Sequence, residues 1–338
     1  MKDVLSFSLD ELREEMLSLE EATFRAKQIF DWIYRKKAVD YSEMTNLPIS
    51  LRERLFGLLP FPVMKMEERQ VADDGTEKFL WKLEDRNHIE SVLLRHPTHT
   101  TFCISSQVGC ALNCSFCATG AGGFARDLSA GEIVGQVVFM EKISDKPVDN
   151  IVFMGMGEPF LNEYNVFKAI SILHDPVGRD LGTRRFTIST SGIPESIRKL
   201  ADSKMDVRLS VSLHSARDEL RSKLMPVNRK YPLSTLREAL EYYQHITGNR
   251  ITVEYAMIKG VNDSKEEAQH LVEYLRGLKS FINIIPVNPV NKIYDKPSEN
   301  VVVSFVETLR KAGFESALRH EKGSDIDAAC GQLRQRRR

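Results

Sequence analysis

In VRLSVSLHS (residues 207–215), polar and apolar side chains alternate along a predicted strand, and this alternation indicates the fold class. In an extended chain, successive side chains point to opposite faces. The apolar face carries Leu209, Val211 and Leu213, and the polar face carries Ser210, Ser212 and His214. The preceding strand-like segment repeats a polar face with Thr187, Ser189 and Ser191. One face suits packing against helices and the other suits a polar interior, so the pattern favours a barrel over an open sheet with two apolar faces.

Strand-like segments alternate with helical ones along most of the remaining chain. They are TFCISS (101–106), NIVFMGM (150–156), RRFTISTS (184–191), ITVEYAMI (251–258), FINIIPVNP (281–289) and SALRHEK (316–322). Alternation of this kind predicts parallel strands with helices outside them. The predicted fold class is therefore α/β, a partial (β/α) barrel of the TIM type over residues 97–338, with its chemistry at the C-terminal strand ends.

Two segments precede the predicted barrel. Residues 1–60 indicate short helices, because LSLEEATFRAKQIFDWIYRKK (17–37) places apolar and aromatic residues near helical spacing. We expect a small helical accessory domain there. Residues 61–96 change to strand patterns in EKFLWKLE (77–84) and HIESVLLRH (88–96), with Asp74 and Gly75 marking a hairpin. This stretch is predicted to be a short β-rich linker or extension.

Composition narrows the class of protein without identifying it. The chain has 338 residues, and its 47 basic side chains balance 47 acidic ones, so any nucleic acid must be bound by local patches. No apolar run approaches the roughly 18 residues of a membrane-spanning helix, and the charged start MKDVLSFSLDELREEM is not a signal peptide. We therefore expect a cytoplasmic protein with no membrane partner.

Four of the five cysteines lie between Cys103 and Cys117, which is typical of a metal site rather than a disulfide framework. Cys110, Cys114 and Cys117 form a CxxxCxxC motif soon after the first barrel strand. Three thiolates at this spacing can hold three corners of a 4Fe-4S cube and leave one iron open to another molecule. Structural zinc is the alternative, because zinc takes four ligands and Cys103 could be the fourth.

Motifs in order along the chain resemble the radical S-adenosylmethionine superfamily and, within it, the RlmN family. They are CISSQVGCALNCSFCATG (103–120), FMGMGEP (153–159), STSGIP (189–194), SLHS (212–215), LMPVN (224–228), IPVNP (285–289) and DIDAACGQL (325–333). The N-terminal helical module is also similar to the accessory domain of that family. The resemblance implies a radical SAM barrel that methylates adenine C2 in RNA. The implied substrates are 23S rRNA, in the peptidyl transferase centre, and tRNA, at the adenosine 3′ to the anticodon.

The resemblance implies a [4Fe-4S] cluster on Cys110, Cys114 and Cys117, with S-adenosylmethionine chelating the fourth iron. Residues implied to contact S-adenosylmethionine are Gly157, Glu158, Ser189, Ser212, Leu213, His214 and Asn288. A glycine permits close backbone approach, and a carboxylate can accept hydrogen bonds from an ammonium group. By residue type alone, GMGEP could equally be an ordinary strand-to-helix turn, and single polar residues are more often satisfied core groups than ligands.

The resemblance also implies that Cys330 carries the methyl group. One S-adenosylmethionine methylates this cysteine, a second yields a radical that removes hydrogen from the methyl group, and the carbon radical adds to adenine. Glu90 is then the implied proton acceptor, and Cys103 the resolving thiol that leaves a disulfide with Cys330 for a thiol reductant to reopen. An electron donor such as flavodoxin or ferredoxin is a further implied partner. By residue type alone, Cys330 would be a buried inert cysteine and Glu90 a solvated strand carboxylate.

Two other functions stay open at this stage. The C8-methylating relative Cfr uses the same cysteines, but Val108 and Pro159 favour the RlmN family, because Cfr-like sequences tend to have Cys and Ala there. A non-enzymatic RNA-binding protein with structural zinc belongs to a different class. The candidate RNA contacts are the basic residues Arg35 to Lys37, Arg184, Arg185, Arg221 to Lys230 and Arg334 to Arg338. A loop RNA is the expected substrate, since an unpaired base costs least to bring into an interior site.

Overall fold

Parallel strands form the centre of the molecule in the computed structural model, which describes residues 3–144, 147–288, 293–319 and 322–333. The strands are β1 (Met64–Val71), β2 (Glu77–Leu83), β3 (His88–Arg95), β4 (Thr100–Cys103), β5 (Gln107–Gly109), β6 (Phe124–Asp127), β7 (Asn150–Phe153), β8 (Phe186–Thr190), β9 (Arg208–Ser212), β10 (Ile251–Met257), β11 (Ser280–Pro286) and β12 (Glu315–Leu318). The α-helices are α1 (Leu9–Ser18), α2 (Phe24–Tyr34), α3 (Ile49–Leu58), α4 (Ala118–Ala121), α5 (Ala130–Ile143), α6 (Glu163–His174), α7 (Pro194–Asp202), α8 (Asp218–Leu224), α9 (Leu233–Thr247), α10 (Lys265–Leu275) and α11 (Glu299–Lys311). Short 3-10 helices cover Val4–Ser6, Tyr41–Glu43, Pro159–Asn162, Thr183–Arg185, Pro226–Arg229 and Ser324–Ile326.

Within the described residues, ten strands form one sheet in the order β1-β2-β3-β4-β7-β8-β9-β10-β11-β12. Neighbouring strands are parallel from β4 to β12 and antiparallel from β1 to β4. The sheet keeps two edges, β1 and β12, so the barrel is partial. The prediction of an α/β fold with a partial barrel is confirmed. None of the helices in these ranges combines the length and apolar character that crossing a bilayer requires.

The alternation in β9 orients the barrel strands as the sequence indicated. Leu209 and Val211 are buried against the surrounding helices and strands. On the other face, the Ser210 hydroxyl donates to Glu254 Oε1 inside the barrel at 2.9 Å, and Asn283 Nδ2 donates to the same oxygen at 3.0 Å. The interior of this barrel is therefore polar, with a carboxylate near its centre.

Strands β1 to β3 continue the barrel sheet outward rather than forming a separate layer. β3 pairs with β4, so that Val92 lies beside Cys103. The predicted hairpin at Asp74 and Gly75 joins β1 to β2, and Gly75 adopts the left-handed conformation with φ +77°, which favours glycine. This extension brings β2 and β3 to the edge of the candidate site.

The N-terminal helices pack on the outside of the barrel against α5 and α6. The Ser6 hydroxyl accepts the Gly131 N–H at the start of α5 at 2.9 Å, and Lys168 on α6 pairs with Glu11 at 2.7 Å. A capping box between Ser8 and Glu11 fixes the first turn of α1. The module is thus tied to the barrel by specific polar contacts as well as by its apolar core.

Arg221 is a correction to the predicted RNA-contacting residues, because it is buried and not on the surface. Its guanidinium donates to the carbonyl oxygens of Ser191 at 2.5 Å and Leu213 at 3.1 Å, and to Asn228 Oδ1 at 2.7 Å. From the sequence, a basic residue on a helix with charged neighbours is predicted to be exposed, but the side chain of Arg221 points into the protein. It joins the segments after β8 and β9 to α8.

We expect Arg221→Ala to lower the free energy of unfolding by about 3–5 kcal/mol, because several buried acceptors lose their donor at once. Urea denaturation followed by circular dichroism measures this change. Arg229→Ala is the matched control, since Arg229 lies in the same basic stretch but is exposed, and its midpoint should stay at the wild-type value. Equal midpoints for the two variants would contradict a structural role for Arg221.

Candidate active site

Two adjoining cavities lie at the C-terminal ends of the parallel strands. The central cavity, inside the barrel, is lined by residues that include Cys110, Cys114, Cys117, Gly157, Glu158, Ser189, Ser191, Ser212, His214, Glu254, Asn288, Arg319 and Cys330. The side cavity, beside β3, β4 and the C-terminal loop of residues 322–333, is lined by Val92, Leu94, His96, Cys103, Val152, Met154, Ile285, Asn288, Arg319, Lys322, Ala328, Ala329, Cys330 and Leu333. Six residues line both cavities, which meet there: Met154, Ile285, Asn288, Arg319, Cys330 and Leu333.

The predicted site residues fall into three groups. Most of them share the central cavity: Cys110, Cys114, Cys117, Gly157, Glu158, Ser189, Ser212, His214, Asn288 and Cys330. Cys103 lines only the side cavity, on the far side of Cys330. Leu213 and Glu90 line neither cavity among the described residues. The side chain of Leu213 is buried in the apolar core, as the alternation in β9 requires.

The CxxxCxxC motif lies on a loop held by the β5–β6 hairpin and α4. The N–H of Cys110 donates to the carbonyl oxygen of Gly123 at 2.8 Å, and Cys117 is the N-cap of α4. Asn113 adopts a left-handed conformation with φ +50°, which turns the chain between the first two cysteines. All three thiols are free and face one cavity.

These three thiols fit a 4Fe-4S cluster with one open iron, since three thiolate ligands leave the fourth corner for another molecule. Burial raises the pKa of the Cys110 thiol to about 12, and it also raises that of Cys114, with the neighbouring thiols adding to the effect. Bound iron would therefore have to displace protons from these thiols. Within the described ranges, no three His, Cys, Asp or Glu side chains converge as they would on a single metal ion.

Glu158 is a buried carboxylate fixed by backbone donors. Its Oε2 accepts the Ser191 N–H at 2.7 Å, and its Oε1 accepts the Phe160 N–H at 3.1 Å. Gly157 before it has φ +106°, and a Cβ at that position would lie 2.6 Å from Cβ of Gln107. This close approach requires glycine. Burial raises the pKa of Glu158, although its hydrogen bonds oppose the shift. A cationic ligand group beside it would stabilise the ionised carboxylate.

Polar atoms without partners mark the central cavity as a ligand site. Ser191 Oγ and Asn288 Oδ1 are buried and have no hydrogen-bond partner among the described residues, and Glu254 Oε2 has only the ion pair with Arg319 at 3.7 Å. Buried polar groups normally make hydrogen bonds, so these atoms around one cavity indicate a polar ligand. The sequence analysis missed Glu254, although a lone acid within the apolar strand ITVEYAMI was a signal for it.

His214 is neutral and oriented towards the central cavity. Its Nδ1 accepts the Ala256 N–H at 2.8 Å, which leaves the proton on Nε2. Burial lowers the pKa of its imidazole to about 3, and the nearby charge of Arg221 acts in the same direction. The ring packs edge-on against Phe116 at 4.7 Å between centroids. His214 can therefore act as a fixed hydrogen-bond donor but not as a cation.

Cys330 and Cys103 differ in exposure. Cys330 is exposed, whereas Cys103 is buried, and burial together with the charge of Cys330 raises the pKa of the Cys103 thiol to about 12. Arg319, which the sequence analysis also missed, lies near both thiols, and the charge of Cys330 raises the pKa of this guanidinium. Arg319 is 3.7 Å from the carboxylate of Glu254. The Arg319 guanidinium therefore interacts electrostatically with both thiols and with the carboxylate inside the barrel.

Glu90 is buried, so its interpretation as a solvated carboxylate is wrong. Its side chain is only 6% exposed and lies 3.5 Å from the ammonium of Lys78, which is itself 8% exposed. The Ser105 hydroxyl donates to the Glu90 carbonyl at 2.6 Å. On β3, Val92 and Leu94 line the side cavity, and alternation places Glu90 on the same face of that strand.

Other predicted RNA contacts are partly engaged within the protein. Arg35 donates to the carbonyl oxygens of Pro176 and Gly178, and Arg184 pairs with Asp206 at 2.6 Å. Both arginines keep much of their side chain exposed. The terminal arginines from Arg334 to Arg338 lie outside the described residues.

Comparisons with known proteins indicate the same family over almost the whole chain. The radical SAM superfamily model matches residues 104–275, and the model for the ribosomal RNA large subunit methyltransferase N-terminal domain matches residues 2–59. The chain is 49% identical to a probable dual-specificity RNA methyltransferase RlmN of Thermotoga neapolitana, over 100% of this chain and 99% of that protein. A protein of the same description from Geobacillus thermodenitrificans is 45% identical, over 100% and 94%. A crystal structure of a radical SAM methyltransferase from Sphaerobacter thermophilus superimposes with a TM-score of 0.97, at 44% identity and 99% coverage of both chains.

Proposed function

Since the chain belongs to the RlmN family of radical SAM RNA methyltransferases, we propose that it methylates adenine C2 through a methyl group carried on Cys330. The proposed substrates are an adenosine in the peptidyl transferase centre of 23S rRNA and the adenosine 3′ to the anticodon in tRNAs. In this proposal the helical domain of residues 1–60 contacts the RNA, residues 61–96 extend the barrel, and residues 97–338 carry out catalysis. The proposed compartment is the cytoplasm.

The position of Cys330 carries this proposal. Its exposed side chain lines both cavities, one containing the cysteine motif and the other containing Cys103. A group that receives a substituent in one compartment and delivers it in another has to lie where the two meet. Asn288 holds the backbone there, because its Nδ2 donates to the Cys330 carbonyl at 3.1 Å.

The central cavity suits the cofactors of the superfamily. Cys110, Cys114 and Cys117 would hold the [4Fe-4S] cluster, and the Glu158 carboxylate would accept hydrogen bonds from the amino group of S-adenosylmethionine. Ser189, Ser212, His214 and Asn288 would supply the remaining polar contacts. When bound, the cluster and two molecules of S-adenosylmethionine per turnover supply an electron, the methyl group and the hydrogen-abstracting radical.

A protein carrier is needed because C2 of adenine is electron-poor and has no lone pair with which to accept a sulfonium methyl group. Cys330 does have such a nucleophile, its sulfur. Once the carried carbon is bonded to C2 and a one-electron acceptor of the iron–sulfur class has removed the unpaired electron of the adduct, Glu90 would accept the C2 proton. Cys103 would then attack the sulfur of Cys330, and the bond from that sulfur to the carried carbon would break. The carbon keeps the electron pair and takes up a proton to become the methyl group on C2, which frees the RNA and leaves a disulfide that a thiol reductant reopens. Flavodoxin or ferredoxin is the proposed electron donor.

The side cavity has the chemistry to receive the target nucleotide. Val92, Leu94 and Val152 provide apolar side chains against which a flipped base could pack. Arg319 and Lys322 are also among its lining residues, and their cationic side chains suit the phosphates on either side of that base. RNA entering here would meet Cys330 from the side opposite the cofactors.

Mass spectrometry of digested 23S rRNA and tRNA tests the proposed reaction. After anaerobic incubation with reductant and S-adenosylmethionine, we expect 2-methyladenosine in both RNAs from the wild-type enzyme and none from Cys330→Ala, which lacks the carrier. An 8-methyladenosine product would instead assign the chain to the Cfr type of reaction.

We expect the cluster to be lost when Cys110, Cys114 or Cys117 is changed to Ala, because two thiolates do not retain a cube with an open iron. Iron and sulfide analysis after anaerobic purification measures this loss. Cys330→Ala is the control and should keep wild-type iron and sulfide. A preparation with zinc and no sulfide would contradict the cluster and favour the zinc-containing RNA-binding protein.

Cys103→Ala should trap the enzyme on its RNA. Methyl transfer to Cys330 and addition to the base do not use Cys103, so only release should fail. A denaturing gel should show a protein–RNA conjugate, and digestion should yield a Cys330 peptide joined through one carbon to adenine. Adding Cys330→Ala should abolish the conjugate. Normal turnover of Cys103→Ala without a conjugate would show that another group resolves the intermediate.

A further inference from the structure

Lys78 and Glu90 form a buried ion pair next to Val92, which lines the side cavity. In the β2–β3 register, Lys78 lies opposite Val92 and Leu80 lies opposite Glu90. Side chains two positions apart on a strand share a face, so the two charged groups are diagonal neighbours on the face that carries Val92. Val92 lines the side cavity beside Cys103. The pair therefore adjoins the compartment proposed for the base.

Among the described residues, this pair is more deeply buried than lysine–glutamate pairs such as Lys82 with Glu67 and Lys168 with Glu11. The two side chains are 8% and 6% exposed, and their charged atoms are 3.5 Å apart. Moving each charge out of water has a large free-energy cost. Proteins in which apolar side chains replace such a buried pair are therefore often as stable as those with the pair. Stability alone therefore gives little reason for a lysine at this position.

The ammonium of Lys78 has a second partner in the loop that carries Cys330. Its Nζ lies 3.4 Å from the carbonyl oxygen of Asp327. Asp327 adopts a left-handed conformation with φ +53°, just before the chain reaches Cys330. One cation thus contacts both the proposed proton acceptor and the loop of the proposed methyl carrier.

We propose that Lys78 is a positioning residue that keeps Glu90 ionised and directed at the adduct between Cys330 and the base. The inference rests on the proposed function. A proton acceptor has to be ionised before it acts, burial disfavours that form, and an adjacent cation favours it. In the step concerned, the C2–H bond breaks, its electron pair stays with the ring, and the proton bonds to a Glu90 oxygen. Lys78 keeps its own protons and holds the loop in place.

The chain offers a matched control in Lys82. It lies on the same strand and pairs with Glu67 at 3.3 Å, but these side chains are 40% and 34% exposed. Exposed pairs of this kind contribute little to stability. Lys82→Met removes the same charge from the same strand without touching either cavity.

The test compares Lys78→Met, Lys78→Gln, Lys78→Arg, Lys82→Met and Glu90→Gln in single-turnover reactions of the full-length holoenzyme with RNA. Mass analysis of the Cys330 peptide measures methylation, and a denaturing gel measures formation and decay of the conjugate. Lys78→Met should methylate Cys330 and form the conjugate at wild-type rates but release RNA about tenfold or more slowly, as expected for a disabled proton acceptor. Lys78→Gln keeps a donor for Asp327 but no charge, and should behave like Lys78→Met. Lys78→Arg should recover most of the release rate, and Lys82→Met should match the wild type.

Two results would overturn the role of Lys78. One is wild-type release by both uncharged variants. The other is loss of Cys330 methylation and conjugate formation together with release in Lys78→Gln, which would indicate a structural role only. Glu90→Gln separates this inference from the proposed function. If Glu90→Gln releases RNA at the wild-type rate, the assignment of Glu90 as proton acceptor is wrong. If Glu90→Gln releases RNA slowly but the Lys78 variants release it normally, only the positioning role of Lys78 is wrong.

Discussion

The placement of Cys330 depends on hydrogen bonds that join the C-terminal loop to the loop of the cysteine motif. The Ala118 N–H donates to the carbonyl oxygen of Gly331 at 2.7 Å, and the Thr119 hydroxyl donates to that of Leu333 at 2.5 Å. At the other end of the loop, Lys322 donates to the Arg95 carbonyl at 2.6 Å. Cys330 lies between two attachment points of the loop: Gly331 and Leu333 bond to the loop of the cysteine motif, and Lys322 bonds to the end of β3. Its thiol is thereby held where the two cavities meet, and the proposed chemistry requires that position.

An incomplete barrel with a polar interior makes this arrangement possible. In closed (β/α) barrels, layers of apolar side chains fill the centre. Here the centre contains Glu254, bonded to Ser210 and Asn283 and facing Arg319. A buried carboxylate needs donors and a cation around it, and the strands β9 to β12 supply them. Glu254 and Arg319 also line the central cavity, so the fold presents an ion pair to a ligand there.

Local patterns in the sequence predicted the barrel and the cysteine motif, because both depend on residues near one another in the chain. Contacts between distant segments explain what was missed. By residue type Arg221 is predicted to lie on the surface, but its acceptors Ser191 and Leu213 come from the segments that follow β8 and β9. The resemblance implies a role for Glu90, but by residue type alone it would be solvated; only the pairing of β2 with β3 shows it buried beside Lys78. The position of Cys103 in the side cavity likewise depends on how the C-terminal loop returns over β3 and β4.

The contrast between Cys330 and Cys103 gives the proposed reaction an order. Only Cys330 reaches the central cavity, so Cys103 is kept away from the methyl donor by position alone. Burial and the charge of Cys330 both raise the pKa of Cys103, while Arg319 lowers it. Cys103 lies in the side cavity, which Cys330 also lines, so in the proposed reaction it is placed for the later step, release of the RNA.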